Sequence, residues 1–244
     1  MEQVSRQMKS SASRSSSPKD EGFKCPYCEK VYKLEKPFLN HVCKQKKRYF
    51  EKDTKAARLA FAAFTRFHEV HYKGRVLPTY EKFMQSTLYE AFLSFGKYIL
   101  DIDALAPQDY IDYMVRSQVP IDRWCRDAEY EKYVAQLAMK ESPDRALERT
   151  CLLMQEWALK EGADSADFFR VISPSRAAMW IKSGRISPWV LLNCSSGAEL
   201  LGRFTDEQMM LVSSALNIKM WKGKFARHPV EVNDLRAALE ATGL

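Results

Sequence analysis

Apolar residues along this chain recur mainly at intervals of three and four, the spacing that gathers side chains on one side of an α-helix. Phe50, Ala57, Phe61, Phe64 and Phe67 follow that rule and predict a helix over about 49–72, stopped by the turn signal Lys73-Gly74-Arg75. Pro78-Thr79 opens the next pattern. With Thr79 as N-cap, Tyr80, Phe83, Met84, Leu88, Phe92, Phe95 and Ile99 share one apolar face. Further helices are predicted at about 107–117, 121–140 and 143–161. The last carries the fullest punctuation: Ser142 to cap it, Pro143 for its first turn and Gly162 to close it. Beyond Ala163 the pieces shorten to 165–169, 174–182 and one or two turns over 188–192. Longer patterns resume at 205–216 after Thr205 and at 233–241 after Asn233.

Strands are suggested in one place, a short hairpin just after Phe23. The fold class that follows is all-α: a multi-helix body with short connections, preceded by one small ββα-like unit. Residues 1–22, with Ser10, Ser11, Ser13, Ser15, Ser16 and Ser17, are too polar to offset their ordering entropy and read as a disordered, basic, Ser-rich tail. The expected organisation is therefore a tail over 1–22, a compact unit over 23–48 and a helical domain over 49–244, with a subdivision near 163–170.

The length of 244 residues and the 46% hydrophobic content allow a sizeable core, so composition leaves the helical reading intact. Charge adds segmentation. Residues 1–75 hold 18 basic against 8 acidic side chains, 76–169 hold 10 against 17, and 170–227 hold 9 against 3. Basic ends attract phosphate backbones, although the same residues also serve as a solvated face.

Of the six cysteines, Cys25, Cys28 and Cys43 cluster, while Cys125, Cys151 and Cys194 are scattered through helical patterns. That density is not a disulfide scaffold. Met1–Lys19 lacks the apolar stretch of a secretory signal, and no run of 18 apolar residues suggests a membrane span. An intracellular, reducing compartment, cytoplasm or nucleoid or nucleus, is the expectation, with no membrane partner.

Cys25 and Cys28, two residues apart, can direct two thiolates at one ion across a tight turn. Twelve residues separate Cys28 from His41, enough for a hairpin and the first turns of a helix to return an imidazole to that ion. With Cys43 as fourth ligand the set is closed, which suits structural Zn2+. The segment resembles the classical Cys2His2 zinc fingers over residues 23–48, with Tyr32 and Leu39 as the small core the resemblance implies. It departs at the last ligand, where Cys43 follows His41 after Val42 alone, as in a Cys2HisCys variant. Positions two apart on an ideal helix diverge, so these two can share an ion only if the helix ends or loosens there.

In fingers that read DNA, residues near the helix start enter the major groove. Here that region offers Lys36 and Asn40, a weak code. Lys44, Lys46, Lys47 and Arg48, continued by Lys52 and Lys55, make a stronger electrostatic footprint that would position the chain on phosphates. The competing reading makes them the solvated side of a helix whose other side, bearing Phe50 and Phe61, enters the core. A second nucleic-acid candidate is the loop-like segment 220–228, in which Lys222, Lys224 and Arg227 accompany Trp221 and Phe225. Its competing reading plugs the core with the two aromatics.

His68 and His71, three apart, lack the glutamate arrangement of a zinc protease. Asp101, Asp103, Asp109 and Asp112 flank predicted helix starts, where carboxylates favour exposed amides. Glycine-rich phosphate loops are absent from the sequence, and Ser195-Ser196-Gly197 reads as a turn or cap. No catalytic set stands out. The leading expectation is a zinc-containing nucleic-acid-binding accessory or regulatory protein contacting DNA or RNA through phosphates. The alternative is an adaptor that docks on a polymerase or another host or viral complex, its finger purely structural.

Overall fold

Thr54, Thr79, Ser142, Ser173, Ser187, Thr205 and Asn217 each accept a hydrogen bond from a backbone N–H of the first turn that follows. These side chains satisfy amides that have no partner within a helix, and they set where the helices begin. The computed structural model describes residues 22–72 and 76–244. The tail expected over 1–22 lies outside them except for Gly22, as does the Lys73-Gly74-Arg75 turn. The chain divides into two units, 1–52 and 53–244.

The described part of the first unit is an antiparallel hairpin, β1 (Phe23–Lys24) and β2 (Val31–Tyr32), with Phe23 paired to Tyr32 and Lys24 to Val31. Helices α1 (Glu35–Leu39) and α2 (Lys44–Phe50) follow. The second unit is all-helical among its described residues. Its first half comprises α3 (Lys55–His71), α4 (Tyr80–Gln85), α5 (Tyr89–Asp101), α6 (Pro107–Arg116), a 3-10 turn at Ile121–Arg123 and α7 (Asp127–Lys140). After them come α8 (Pro143–Glu161), a 3-10 turn at Ser165–Asp167, α9 (Phe168–Val171), α10 (Pro174–Lys182) and α11 (Pro188–Leu191). The chain ends with α12 (Ser195–Gly202), α13 (Asp206–Val212), α14 (Ile218–Arg227) and α15 (Pro229–Ala241).

Two hydrophobic cores hold this body. One gathers Phe64, Phe83, Phe92, Phe95 and Trp124 around the packing of α3 on α5 and α6; the other gathers Trp157, Phe168, Trp189 and Trp221 from α8 onward. Within 163–170, where the sequence suggests a subdivision, Phe168 and Phe169 are fully buried in the second core.

Several boundaries differ from the sequence expectation. The helix expected over 49–72 is two helices, because the Thr54 hydroxyl takes the Ala57 N–H and starts α3 afresh. The pattern from Thr79 to Ile99 is likewise split at Ser86, whose backbone is extended and whose hydroxyl accepts from Leu88 N–H at 3.0 Å. Over 121–140 the extended Arg126 separates the 3-10 turn from α7. The helix expected over 205–216 stops at Val212, and the last helix starts at Pro229 rather than Asn233, since proline suits the first helical position. Ser195-Ser196-Gly197, expected as a turn or cap, forms the first turn of α12 directly after the N-cap Cys194; a Cβ on Gly197 would meet the Leu191 carbonyl oxygen at 2.2 Å, so this glycine serves close packing.

Gly96 plays the same part where α5 crosses α3. A Cβ there would lie 2.2 Å from the Ala56 carbonyl oxygen and 3.0 Å from the Ala60 nitrogen, both backbone atoms that cannot swing aside. Overpacking costs about 1–3 kcal/mol, against roughly 1 kcal/mol of helix propensity gained by alanine. Gly96→Ala is expected to lower the urea midpoint of the body by the equivalent of about 1–2 kcal/mol at unchanged slope, the upper part of that difference because both close atoms are backbone.

A polar cluster lies where α7 hands over to α8. Glu141, with a side chain 6% exposed, receives Nε and Nη2 of Arg149, both at 2.9 Å, and the Ser187 hydroxyl at 3.2 Å. Its backbone carbonyl accepts from Trp189 Nε1 at 3.1 Å and from Lys224 Nζ at 3.1 Å. Lys224 Nζ also donates to the Ala138 carbonyl, so this remote lysine caps the C-terminal end of α7. Burial pulls its pKa down to about 8. Beside the cluster is a cleft of about 380 Å³ lined mainly by apolar side chains, among them Val134, Ala138, Ile181 and Met220.

Candidate metal centre

In the first unit two residues are buried among those described, Cys25 and Cys43. A unit this small has too little apolar core to hold itself, so what those sulfurs do decides whether it folds. The Cys25-Pro26-Tyr27-Cys28 turn is closed by two backbone bonds, Cys25 N–H to Lys30 O and Glu29 N–H to Cys25 O, each 2.9 Å. Glu29 adopts a left-handed φ of 60°, which for a residue other than glycine costs about 1–2 kcal/mol. The turn thereby directs both thiols to one side of the hairpin.

From the other direction, α1 stops at Leu39. His41 N–H bonds to Phe38 O at 3.2 Å, and the chain is non-helical through Asn40, His41 and Val42. Cys43 is extended, with φ −97° and ψ 111°. This is the loosening that ligands two positions apart require. The four ligand atoms of Cys25, Cys28, His41 and Cys43 all lie within 4.8 Å of one another. Cys25 Sγ is 3.8 Å from Cys43 Sγ, and Cys28 Sγ is 3.2 Å from His41 Nε2. A tetrahedral zinc with Zn–S arms of about 2.3 Å has sulfur–sulfur edges of about 3.8 Å, so the donor atoms stand where one ion would hold them. The cluster is suited to chelate a single metal ion, and three sulfurs with one imidazole suit Zn2+. Four protein ligands leave no open position, which makes the centre structural. No other group of this kind occurs among the described residues.

Electrostatics tune the sulfurs individually. Burial pushes the Cys25 thiol up, but backbone N–H groups of Cys28 and Tyr27 and the neighbouring thiols outweigh it and leave Cys25 below the ordinary value. Burial dominates at Cys43 and raises it, although Lys46 N–H donates to its sulfur at 3.3 Å. Cys43 is thus two things at once: a member of the cluster and the N-cap of α2.

Around the cluster the unit is aromatic. Phe38 lies 5.7 Å from Phe23 and 6.2 Å from Tyr32, and Tyr32 lies 5.0 Å from His41. Leu39, which the finger resemblance puts in the core, is 70% exposed; the shortened helix turns Phe38 inward in its place. On the other side Tyr27 touches Tyr49 at 5.3 Å and Phe50 at 5.9 Å.

Lys36, Asn40, Lys44, Lys46 and Lys47 are exposed, and Arg48 and Lys52 are half-buried. Lys44, Lys47 and Arg48 share a side of α2, but the break after Phe50 keeps Lys52 and Lys55 from continuing it; Lys55 is exposed on α3 in the second unit. Of the two aromatics that the solvated-face reading sends into the core, Phe61 packs against it, whereas Phe50 is 65% exposed. The segment 220–228 is helix α14 rather than a loop, with Trp221 buried and Phe225 5.1 Å from Trp189. Lys222 and Arg227 are exposed on it. Lys224, only 4% exposed, points inward to α7, so its ammonium is not on offer to a phosphate.

Four of the remaining candidates, His68, His71, Asp103 and Asp112, have local partners. His71 stacks on Phe67 at 4.0 Å, and His68 lies 4.5 Å from Phe64 and 4.8 Å from Tyr72. Asp112 pairs with Arg66 at 2.6 Å and with Arg116 at 2.7 Å, and Asp103 pairs with Arg185. Sequence reasoning missed the Glu141–Arg149–Lys224 cluster, because Arg149 meets the Glu141 carboxylate from another helix and Lys224 joins through the backbone carbonyls of Ala138 and Glu141, which carry no residue signature. No helix among the described residues is long and apolar enough to cross a membrane. Compared with protein-family models, curated proteins and solved structures, this chain finds no match.

Proposed function

We propose that the zinc-ordered first unit binds nucleic acid through phosphate contacts made by α2, as an accessory or regulatory module rather than a catalyst. The observation that carries this reading is the double role of Cys43. A thiolate that holds the ion also caps a helix whose seven residues include Lys44, Lys46, Lys47 and Arg48 and no acid. Lys44 and Lys46 lie in its first turn, where cations are unfavourable by roughly 0.3–1 kcal/mol each, so their charge does not serve α2 itself. A polyanion offsets that cost. Across 22–52 nine basic side chains stand against three glutamates, which extends the same field over the unit. Lys222 and Arg227 on α14 are a second, separate basic element. A reducing, intracellular compartment suits a centre that needs three thiolates.

The test combines metal analysis with salt-titrated binding. With Lys44, Lys46, Lys47 and Arg48 changed to Gln, zinc content is expected to stay at one per chain while affinity falls. The slope of log affinity against log salt should shrink by about 0.7–0.9 for each phosphate that is no longer neutralised. Undiminished binding by the zinc-loaded variant would move the interface away from α2. The adaptor alternative gains ground if the wild-type chain binds neither duplex nor single strands at low salt.

A further inference from the structure

Resting on that reading, we infer that the first unit is built for single-stranded rather than duplex nucleic acid, with Tyr27, Tyr49 and Phe50 forming a stacking surface for unpaired bases. Phe50 belongs to an apolar series that the sequence sends into a core, yet it is 65% exposed, and Tyr49 is exposed beside it. Their rings lie 5.8 Å apart, and Tyr27 closes the group at 5.3 Å and 5.9 Å. Tyr27 stands between two metal ligands, and α2 is capped by a third, so the ion fixes both halves of the surface in register.

The cations are placed to match. Lys46 is three residues before Tyr49 and four before Phe50, which puts it on their side of α2. Lys52 Nζ lies 4.3 Å from the centre of the Tyr49 ring. Lys44, Lys47 and Arg48 cover the opposite side of the helix, with Lys47 3.9 Å from Glu51. A duplex hides its base faces in the stack and offers a groove and phosphates. An unpaired strand offers phosphates and open base faces together, and aromatic rings flanked by cations take both at once. In the first unit, exposed aromatic area of this kind has no use against duplex phosphates.

The experiment uses the zinc-loaded full chain with a labelled 20-nucleotide thymidine strand, a mixed-sequence strand and the duplex of that mixed sequence. Both single strands should bind more tightly than the duplex. Phe50→Ala should weaken single-strand binding roughly 5- to 150-fold, the range for removal of one stacking partner, while leaving the salt slope unchanged because every cation remains. Phe50→Tyr should retain affinity. In the wild type, photocrosslinking with 5-iodouracil in the strand should mark Tyr27, Tyr49 or Phe50, a readout that needs no variant. Equal or tighter duplex binding, or unchanged single-strand affinity in Phe50→Ala with wild-type zinc content, overturns this inference alone. Absence of binding to any of the three overturns the underlying reading as well.

Discussion

Replacing Cys43 by serine is expected to empty the metal centre and unfold residues 22–52 while the helical body stays intact. Burial sets this expectation: Cys25 and Cys43 are the buried residues of that unit among those described, and the rings around them are half-buried or exposed. Structural zinc contributes about 10–16 kcal/mol of apparent binding free energy in units of this size, and no other interaction here approaches it. The serine hydroxyl can still cap α2, so the loss expected here is that of the ion alone. Metal analysis should fall from one zinc per chain to none. Limited proteolysis should then cut within 22–52 and leave a resistant fragment starting near Asp53, where the second unit begins. Val42→Ala, at a site that faces solvent, is the matched control and should change neither measurement. A wild-type chain that holds no zinc and still resists cleavage over 22–52 would sink the proposal.

The second large effect belongs to the body. Glu141→Ala should destabilise it by about 3 kcal/mol, because the change leaves Arg149 with an uncompensated charge and Ser187 without its acceptor. Breaking a buried pair costs about 3–5 kcal/mol, and a quarter of the Arg149 side chain is still in water, which places the effect at the lower end. For a unit of this length that corresponds to a fall in Tm of roughly 6–12 °C, measured by calorimetry. Glu141→Gln keeps one acceptor oxygen but removes the negative charge and sets an amide NH2 against an Arg149 donor, so it should recover only part of the loss. If Glu141→Ala melted within about 1 °C of wild type, against the several degrees expected, the cluster would not be what joins α7 to α8.

How much the sequence reveals depends on how local each cause is. The course of α8 is set by Ser142, Pro143 and Gly162 within a few residues of its ends, and it runs Pro143–Glu161 as the pattern predicts. The ligand set is legible for the same reason: its spacing leaves one geometric solution, which already demands a helix break before Cys43. Phe50 is misplaced by the pattern because periodicity alone does not reveal that Thr54 starts a new helix. Gly197 resembles a turn signal, and only the approach of the Leu191 carbonyl shows otherwise. Lys224 looks like one more cation in a basic run. Its partners, the carbonyls of Ala138 and Glu141, lie more than 80 residues earlier and belong to residues of any type.

The interruption between α1 and α2 also bears on how metal loss would register. Stripped of the ion, nothing local prevents 38–50 from winding into one uninterrupted helix, in which His41 and Cys43 would face roughly opposite directions. A lone helix of this length is only marginally stable in water, so the metal-free unit would form it part of the time, and the helical signal would change little while the ring environment dissolved. Far-ultraviolet circular dichroism is therefore the wrong gauge of the holo state, and chemical-shift dispersion of the Tyr27, Tyr49 and Phe50 ring protons is the right one.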